Sequence, residues 1–377
     1  MNLNKLFLLS VNFSLIFCLE PIQECKILNN YSNYFDDINC CNSMRVECHE
    51  NQSHIIGIDL NDIIERKVRD KFSLETFLNQ FPSLEKLDIS YNGLKGDLII
   101  PQNTTLVELD ASNNNFDGKL VIPDNSEVSL FFSNGESKLK NLNISDNMFK
   151  GELIIPTNST LEKLDASRNL FNGTLILEEN IKLKELNISN NELTGDLNIP
   201  KSSTLMILDA SENVFDGNLN IGENTKLEEL NISDNRLNGK LIIPPNSNLK
   251  TLKISNNLLH GNLDLSECSK LEELIANDNI FDGELNIQEN QHLEILHAIN
   301  NELKGDIKIP KSSNLKEIYL RNNKLNYSCN IEVENDFPGC NDQLRTFLFI
   351  VIPLVVLIII CFVVVMVKKI GNGNENK

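Results

Sequence analysis

The stretch Leu84 to Thr105 reads LEKLDISYNGLKGDLIIPQNTT, and from Leu106 the chain begins again as LVELDASNNNFDGKLVIPDNSE. The shared frame is L-x-x-L-x-L-x-x-N, then an apolar residue two positions on and a glycine two beyond that. Further copies start at Leu139, Leu161, Leu183, Leu205, Leu227, Leu249, Leu271, Leu293 and Leu315. Every step is 22 residues except that from Leu106 to Leu139, which is 33. The extra eleven residues read VSLFFSNGESK, from Val128 to Lys138, as half a repeat or an exposed loop. A copy this short cannot bury its apolar face alone, so neighbours must stack into a solenoid that grows in one dimension.

This frame and period are those of a leucine-rich repeat solenoid. The expected fold is β-rich, with a parallel sheet on the concave face, 22-residue repeats, disulfide caps and one transmembrane helix. The segment G-x-L-x-I, as in Gly96 to Ile100, alternates with period two and predicts a second short strand on the far side of each coil. The ninth position is Asn in every copy, from Asn92 to Asn323. An amide both donates and accepts, so a buried Asn ladder can satisfy the backbone groups freed where the strand turns. The glycine at Gly96, Gly118 and on to Gly305 is read as permitting the tight bend. The sixth and eleventh positions exchange size. Ala111, Ala166, Ala210 and Ala276 accompany Phe116, Phe171, Phe215 and Phe281, whereas Ile89, Ile188, Ile232 and Ile254 accompany leucines. Constant core volume explains the rule; Ile144 with Phe149 and Ala298 with Leu303 break it.

The ends carry different signals. Residues 1–20 begin with Lys5 and an apolar run from Leu6 to Leu19, as in a secretory signal peptide cut between Cys18 and Glu24, or else retained as a signal anchor. Within 346–367, Phe347 to Val367 holds 21 uncharged residues, long enough to cross a bilayer, followed at once by Lys368 and Lys369. The positive-inside rule then gives a plasma-membrane, single-pass type I protein with its N-terminus extracellular and a cytosolic tail at 368–377. That tail is too short for a folded domain. The net charge of −19 argues against nucleic acid. No nucleotide-loop, hydrolase, zinc-protease or kinase motif is present, the five histidines are scattered, and no enzyme activity, metal or cofactor is expected.

Cys25, Cys40, Cys41 and Cys48 fall in the segment 21–83 before the array, and Cys329 and Cys340 in 327–345 after it. Spacing alone leaves three connectivities for the first four. The run DINCCNSMRVEC from Asp37 to Cys48, followed by HIIGIDL, resembles the N-terminal cap of plant-type extracellular leucine-rich repeat proteins, among them receptor-like proteins without a kinase domain. The resemblance spans about Cys25 to Cys340. It implies the pairs Cys25–Cys40 and Cys41–Cys48. The Trp found between the last cap cysteines of that family is missing here. Cys329 and Cys340 are expected to pair over the last coil. Cys268 is left unpaired within the array of residues 84–326, as a buried thiol or an intermolecular bridge.

Function is expected on the concave face, the usual binding surface of a solenoid. The fifth position there runs Asp88, Asp110, Asn143, Asp165, Asn187, Asp209, Asn231 and then Lys253, Ile275, His297, Tyr319. The seventh is Ser from Ser90 to Ser255, then Asn277, Ile299, Arg321. The Asp residues are read as recurring on every other coil, ~9.6 Å apart at the strand spacing, too far to share an ion, so the ladder is a solvated surface. The last four coils depart from it. Lys253, Ile275, Ile295, His297, Ile299, Tyr319 and Arg321 form a mixed apolar, aromatic and cationic patch, the kind of surface that binds a partner. The competing reading is drift where the terminal cap packs. Phe131 and Phe132 in the insert are a second candidate. Sequons begin at Asn30, Asn51, Asn103, Asn143, Asn158, Asn172, Asn187, Asn231 and Asn326, and glycans on the concave three would leave the patch open. The expected function is cell-surface recognition of a protein or carbohydrate ligand, with any signal passed through a co-receptor. The alternative is adhesion or surface coating without signalling.

Overall fold

The computed structural model describes residues 19–335 apart from 37–38, 51–53, 126–135, 178–181, 201–202, 222–225, 308–313 and 327–333. Residues 1–18 of the expected leader, the expected membrane segment and tail, Asn51, Cys329, Cys340 and most of the insert therefore lie outside the described residues. Among those described, no helix is long and apolar enough to cross a membrane.

Each L-x-x-L-x-L segment supplies three residues of extended backbone, and these join into one 14-stranded sheet. Val46–Cys48 runs antiparallel to Ile55–Asp59; every later neighbour is parallel, through the eleven repeat strands from Lys86–Asp88 to Glu317–Tyr319 and on to Glu334–Asn335. Register follows the period. Leu87 stands opposite Leu109, and Leu109 opposite Leu142, so the 33-residue step costs the sheet no slip. The alternation of the strand sends Leu84, Leu87 and Ile89 into a core where each is at most 3% exposed. The second strands form small separate parallel sheets on the other side, such as Leu98–Ile99 with Leu120–Val121. Lys140, Glu162 and Lys184 follow one another along the coil edge. Glu162 Oε1 and Oε2 lie 3.1 and 2.6 Å from Lys140 Nζ and Lys184 Nζ, and these hydrogen bonds, Lys184 first, lower its pKa. Exposed pairs of this kind add little stability, but they favour one stacking register.

The Asn ladder is as expected, and its hydrogen bonds show why the residue is invariant in the repeat. Asn213 Nδ2 donates to the carbonyls of Ile188, Ala210 and Ser211 at 2.9, 3.3 and 3.1 Å, while Oδ1 accepts from Leu193 N at 3.0 Å. One side chain thus ties its own turn to the preceding coil. The glycines need two explanations. Gly96 has φ +83°, the left-handed region expected of a bend. Gly118 does not. A Cβ there would stand 2.7 Å from the backbone of Gly96, so close approach of the previous coil decides the residue, a correction to the bend reading. Its predecessor Asp117 also reaches back, accepting from Gly96 N at 3.1 Å.

The volume rule holds, and one exception has a cause. Phe116, Phe149 and Phe171 stack on consecutive coils with centroids 5.9 Å apart and planes within 7° and 11°. Phe149 continues the aromatic column even though Ile144 sits where Ala111 and Ala166 sit in the coils on either side.

Both implied cap disulfides are present, Cys25–Cys40 and Cys41–Cys48, with Cα separations of 5.4 and 5.8 Å. A helix at Leu19–Asn29 leads into them. Its Glu24 carboxylate is buried and accepts from Ile55 N at 2.8 Å, tying the helix to the first parallel strand. Tyr31 meets Phe77 edge-on and Phe77 lies tilted against Phe81, with centroids 4.8 Å apart at each step. This aromatic group fills the cap of a chain without tryptophan. Cys268 is a buried free thiol, and burial pushes its pKa up to about 12, so it carries no reactive thiolate near neutrality.

Candidate functional site

The concave ladder is more than a solvated surface. Within each coil the fifth-position oxygen caps the seventh. Asp165 Oδ1 accepts from Ser167 N at 3.0 Å and from Ser167 Oγ at 2.6 Å. Across coils, Asn143 Nδ2 donates to Asp110 Oδ2 at 3.0 Å, Asn187 to Asp165 at 3.5 Å and Asn231 to Asp209 at 3.1 Å. An ionised Asp only accepts, so an amide in the next coil supplies the donor. The Asp–Asn alternation from Asp110 to Asn231 therefore follows from hydrogen-bond arithmetic. Sequence reading saw the alternation but not the lateral bonds, because strand register was needed to place the pairs.

At the N-terminal end the alternation fails. Asp59, Asp88 and Asp110 stand side by side on three consecutive strands, which corrects the every-other-coil spacing. Half-burial raises the pKa of Asp88, with a smaller push from Asp110 and Asp59, against hydrogen bonds from Ser90 that lower it. A carboxyl whose folded pKa lies above its unfolded value costs stability once it ionises, so the cost is present above the folded pKa and vanishes below the unfolded one. Asp88→Asn keeps an oxygen for Ser90 and restores the donor. It should raise the melting temperature at pH 7, and the gain should disappear as the pH falls below the carboxylate range; an equal gain at low pH would assign the effect to something other than charge. Among the described residues no acidic, His or Cys cluster is arranged to hold a metal ion.

The same end forms a groove of about 590 Å³ that sequence reading missed. Asp88, Asp110 and Asn143 line its floor, and Arg45, Glu47 and Met44 from the cap stand at its rim. Arg45 Nη1 bonds Asp59 Oδ1 at 3.0 Å, and Lys86 Nζ lies 3.3 Å from Glu47 Oε2. The groove exists because the cap extends the sheet by two strands and adds its own side chains to the lining. No local motif announces that.

At the other end the structure brings the expected patch together. Lys253, Ile275, His297 and Tyr319 are direct register neighbours on four adjacent strands. The His297 and Tyr319 rings lie 4.6 Å apart, and His297 Nε2 is 3.3 Å from Glu317 Oε2. Lys253 Nζ lies 3.4 Å from Glu273 Oε2. Ile295 heads the His297 strand, and Ile299 follows it with its N–H donated to Asn277 Oδ1 at 2.8 Å. Arg321 is exposed beside Tyr319, whereas Lys253 and the three isoleucines are half-buried. The residues thus form one continuous surface in which apolar area is already partly covered by neighbours.

The sequons divide by face. Asn30, Asn103, Asn158, Asn172 and Asn326 are exposed; Asn143, Asn187 and Asn231 are half-buried and engaged in the ladder.

Comparison with known proteins agrees with this architecture. A family model described as Leucine Rich Repeat matches residues 182–202 and 226–247. The chain carries leucine-rich repeats. No curated protein sequence matches it. Among solved structures, the crystal structure of a TDR receptor is 26% identical with a TM-score of 0.57, covering 71% of this chain and 49% of its own. The chain thus spans about half the length of that receptor. A plant ice-binding protein matches at 20% identity and TM-score 0.52, covering 85% of this chain and 98% of its own. The functional domain of InlJ from Listeria monocytogenes matches at 21% and 0.53, over 71% of this chain and 53% of its own. The last two likenesses concern the fold alone.

Proposed function

We propose that this chain is a membrane-anchored cell-surface binding protein whose repeat ectodomain holds a protein or glycan ligand on its concave face, passing any signal through a co-receptor. The observation that carries the reading is the change along one sheet. The six coils from Asp110 to Asn231 present a polar ladder whose amides and carboxylates bond one another, and the last four replace it with Lys253, Ile275, His297 and Tyr319 in a single row. A ladder whose donors and acceptors bond one another offers a ligand little, whereas an aromatic and apolar row rimmed by Arg321 offers contact area and charge. The likeness to a TDR receptor supports recognition as the role.

The test is capture of a partner by the soluble ectodomain, residues 21–343, followed by His297→Ser with Tyr319→Ser. Loss of both rings should weaken binding by at least about tenfold, since truncated hot-spot residues cost about 2 kcal/mol or more. Unchanged affinity in a folded variant would return these coils to a packing role. Removal of residues 370–377 should then abolish signalling but spare adhesion.

A further inference from the structure

The outer face carries an apolar row that the binding reading does not use. Ile99, Val121, Ile154 and Ile176 occupy one position on four consecutive coils and are 42, 39, 68 and 60% exposed. The residues that follow three of them, Ile100, Ile122 and Ile155, are buried; strand alternation turns Ile99 and Val121 outward, and Ile154 and Ile176 are exposed at the equivalent positions of the next two coils. The next coils place Asn198, Asn220, Asp264 and Asn286 at that position, with Ile242 alone between them. Exposed β-branched residues repeated at one position on successive coils make an apolar surface prone to association.

The sequons supply one. Four lie in the array outside the concave face, Asn103, Asn158, Asn172 and Asn326, and three of these sit in the coils of the row. The coils bearing Asn198, Asn220, Asp264 and Asn286 have no sequon outside the concave face. Asn103 and Asn158 occupy equivalent turns closed by Thr104 N to Pro101 O at 3.3 Å and Ser159 N to Pro156 O at 3.1 Å. Each is exposed and follows its isoleucine by four residues, within ~14 Å along the chain. Asn172 flanks the row from the other side, four residues before Ile176 and beside the exposed Leu170. We infer that N-glycans on Asn103, Asn158 and Asn172 cover the Ile99–Val121–Ile154–Ile176 row and keep this face from self-association. The attached N-acetylglucosamines present C–H faces to the isoleucines and hydroxyls to water, and a bulky, solubilising chain on both flanks leaves the row no room for a second protein. This inference rests on the extracellular reading of the chain.

The test uses the full chain expressed in a glycosylating eukaryotic host and extracted in mild detergent. Glycopeptide mass spectrometry should find Asn103, Asn158 and Asn172 occupied. The triple variant N103Q/N158Q/N172Q should show a several-fold rise in oligomeric fraction by size exclusion, and adding Ile154→Asn with Ile176→Asn, the residue used at Asn198 and Asn220, should restore the monomer. The control N30Q/N326Q, at two exposed sequons outside the coils of the row, should leave the oligomeric fraction unchanged. Bare sequons at these three positions would overturn the inference. So would a triple variant as monodisperse as the parent, or one that the two asparagines fail to rescue. A chain without glycan at any sequon, Asn30 included, would sink the extracellular reading with it, whereas occupied but dispensable glycans would sink this inference alone.

Discussion

Phe149→Ala will destabilise the ectodomain by about 3–5 kcal/mol, the range for deleting a buried aromatic ring. Phe149 is 0% exposed and stacks between Phe116 and Phe171 at 5.9 Å on each side. Removing it empties the middle of a three-ring column, and neither neighbour can close the gap without leaving its own coil. Urea denaturation followed by circular dichroism reads the loss as a lower midpoint. Because each coil contacts only its neighbours, the variant should also lower the cooperativity of the transition, with the N-terminal coils melting apart from the rest. Phe149→Leu matches the Ile–Leu pairing used in the coils of Ile188, Ile232 and Ile254, and should recover most of the midpoint. A Phe149→Ala midpoint near that of the parent would mean that the column is not part of the cooperative core.

Asn213→Ala should cost about 3 kcal/mol or more, because it strands several buried backbone groups at about 1–3 kcal/mol each. The carbonyls of Ile188, Ala210 and Ser211 lose a donor and Leu193 N loses its acceptor, all in one substitution on a residue 6% exposed. Asn213→Asp is the sharper experiment. It preserves shape and acceptor but removes both N–H donors and turns a carboxylate toward three carbonyl oxygens. It should be at least as damaging as alanine at pH 7 and recover partly where the carboxyl is protonated. If aspartate were tolerated at pH 7, the donor role assigned to the ladder would be wrong.

Much of this fold was legible because a 22-residue period states the same physical problem eleven times. Leucines at alternate strand positions, Asn where the strand turns and the paired sizes of Ala111 with Phe116 are each local consequences of burying one coil against the next. The cap disulfides were legible only through resemblance. The candidate patch from Lys253 to Arg321 could be picked out because it interrupts a pattern, and parallel register then made its neighbours contiguous. Gly118 was misread, since its reason is the approach of Gly96 from another coil.

What the sequence determined by itself, then, was the repeat, its core and its Asn ladder, since these depend on spacing that the chain displays directly. Only the tertiary structure decided which concave groups meet. It set Asp59, Asp88 and Asp110 in one row, joined Asn143 to Asp110 across a 33-residue step, and brought cap and repeat residues together around a groove of about 590 Å³. Those relations lie between coils, where the stacking register rather than any local motif brings the residues together.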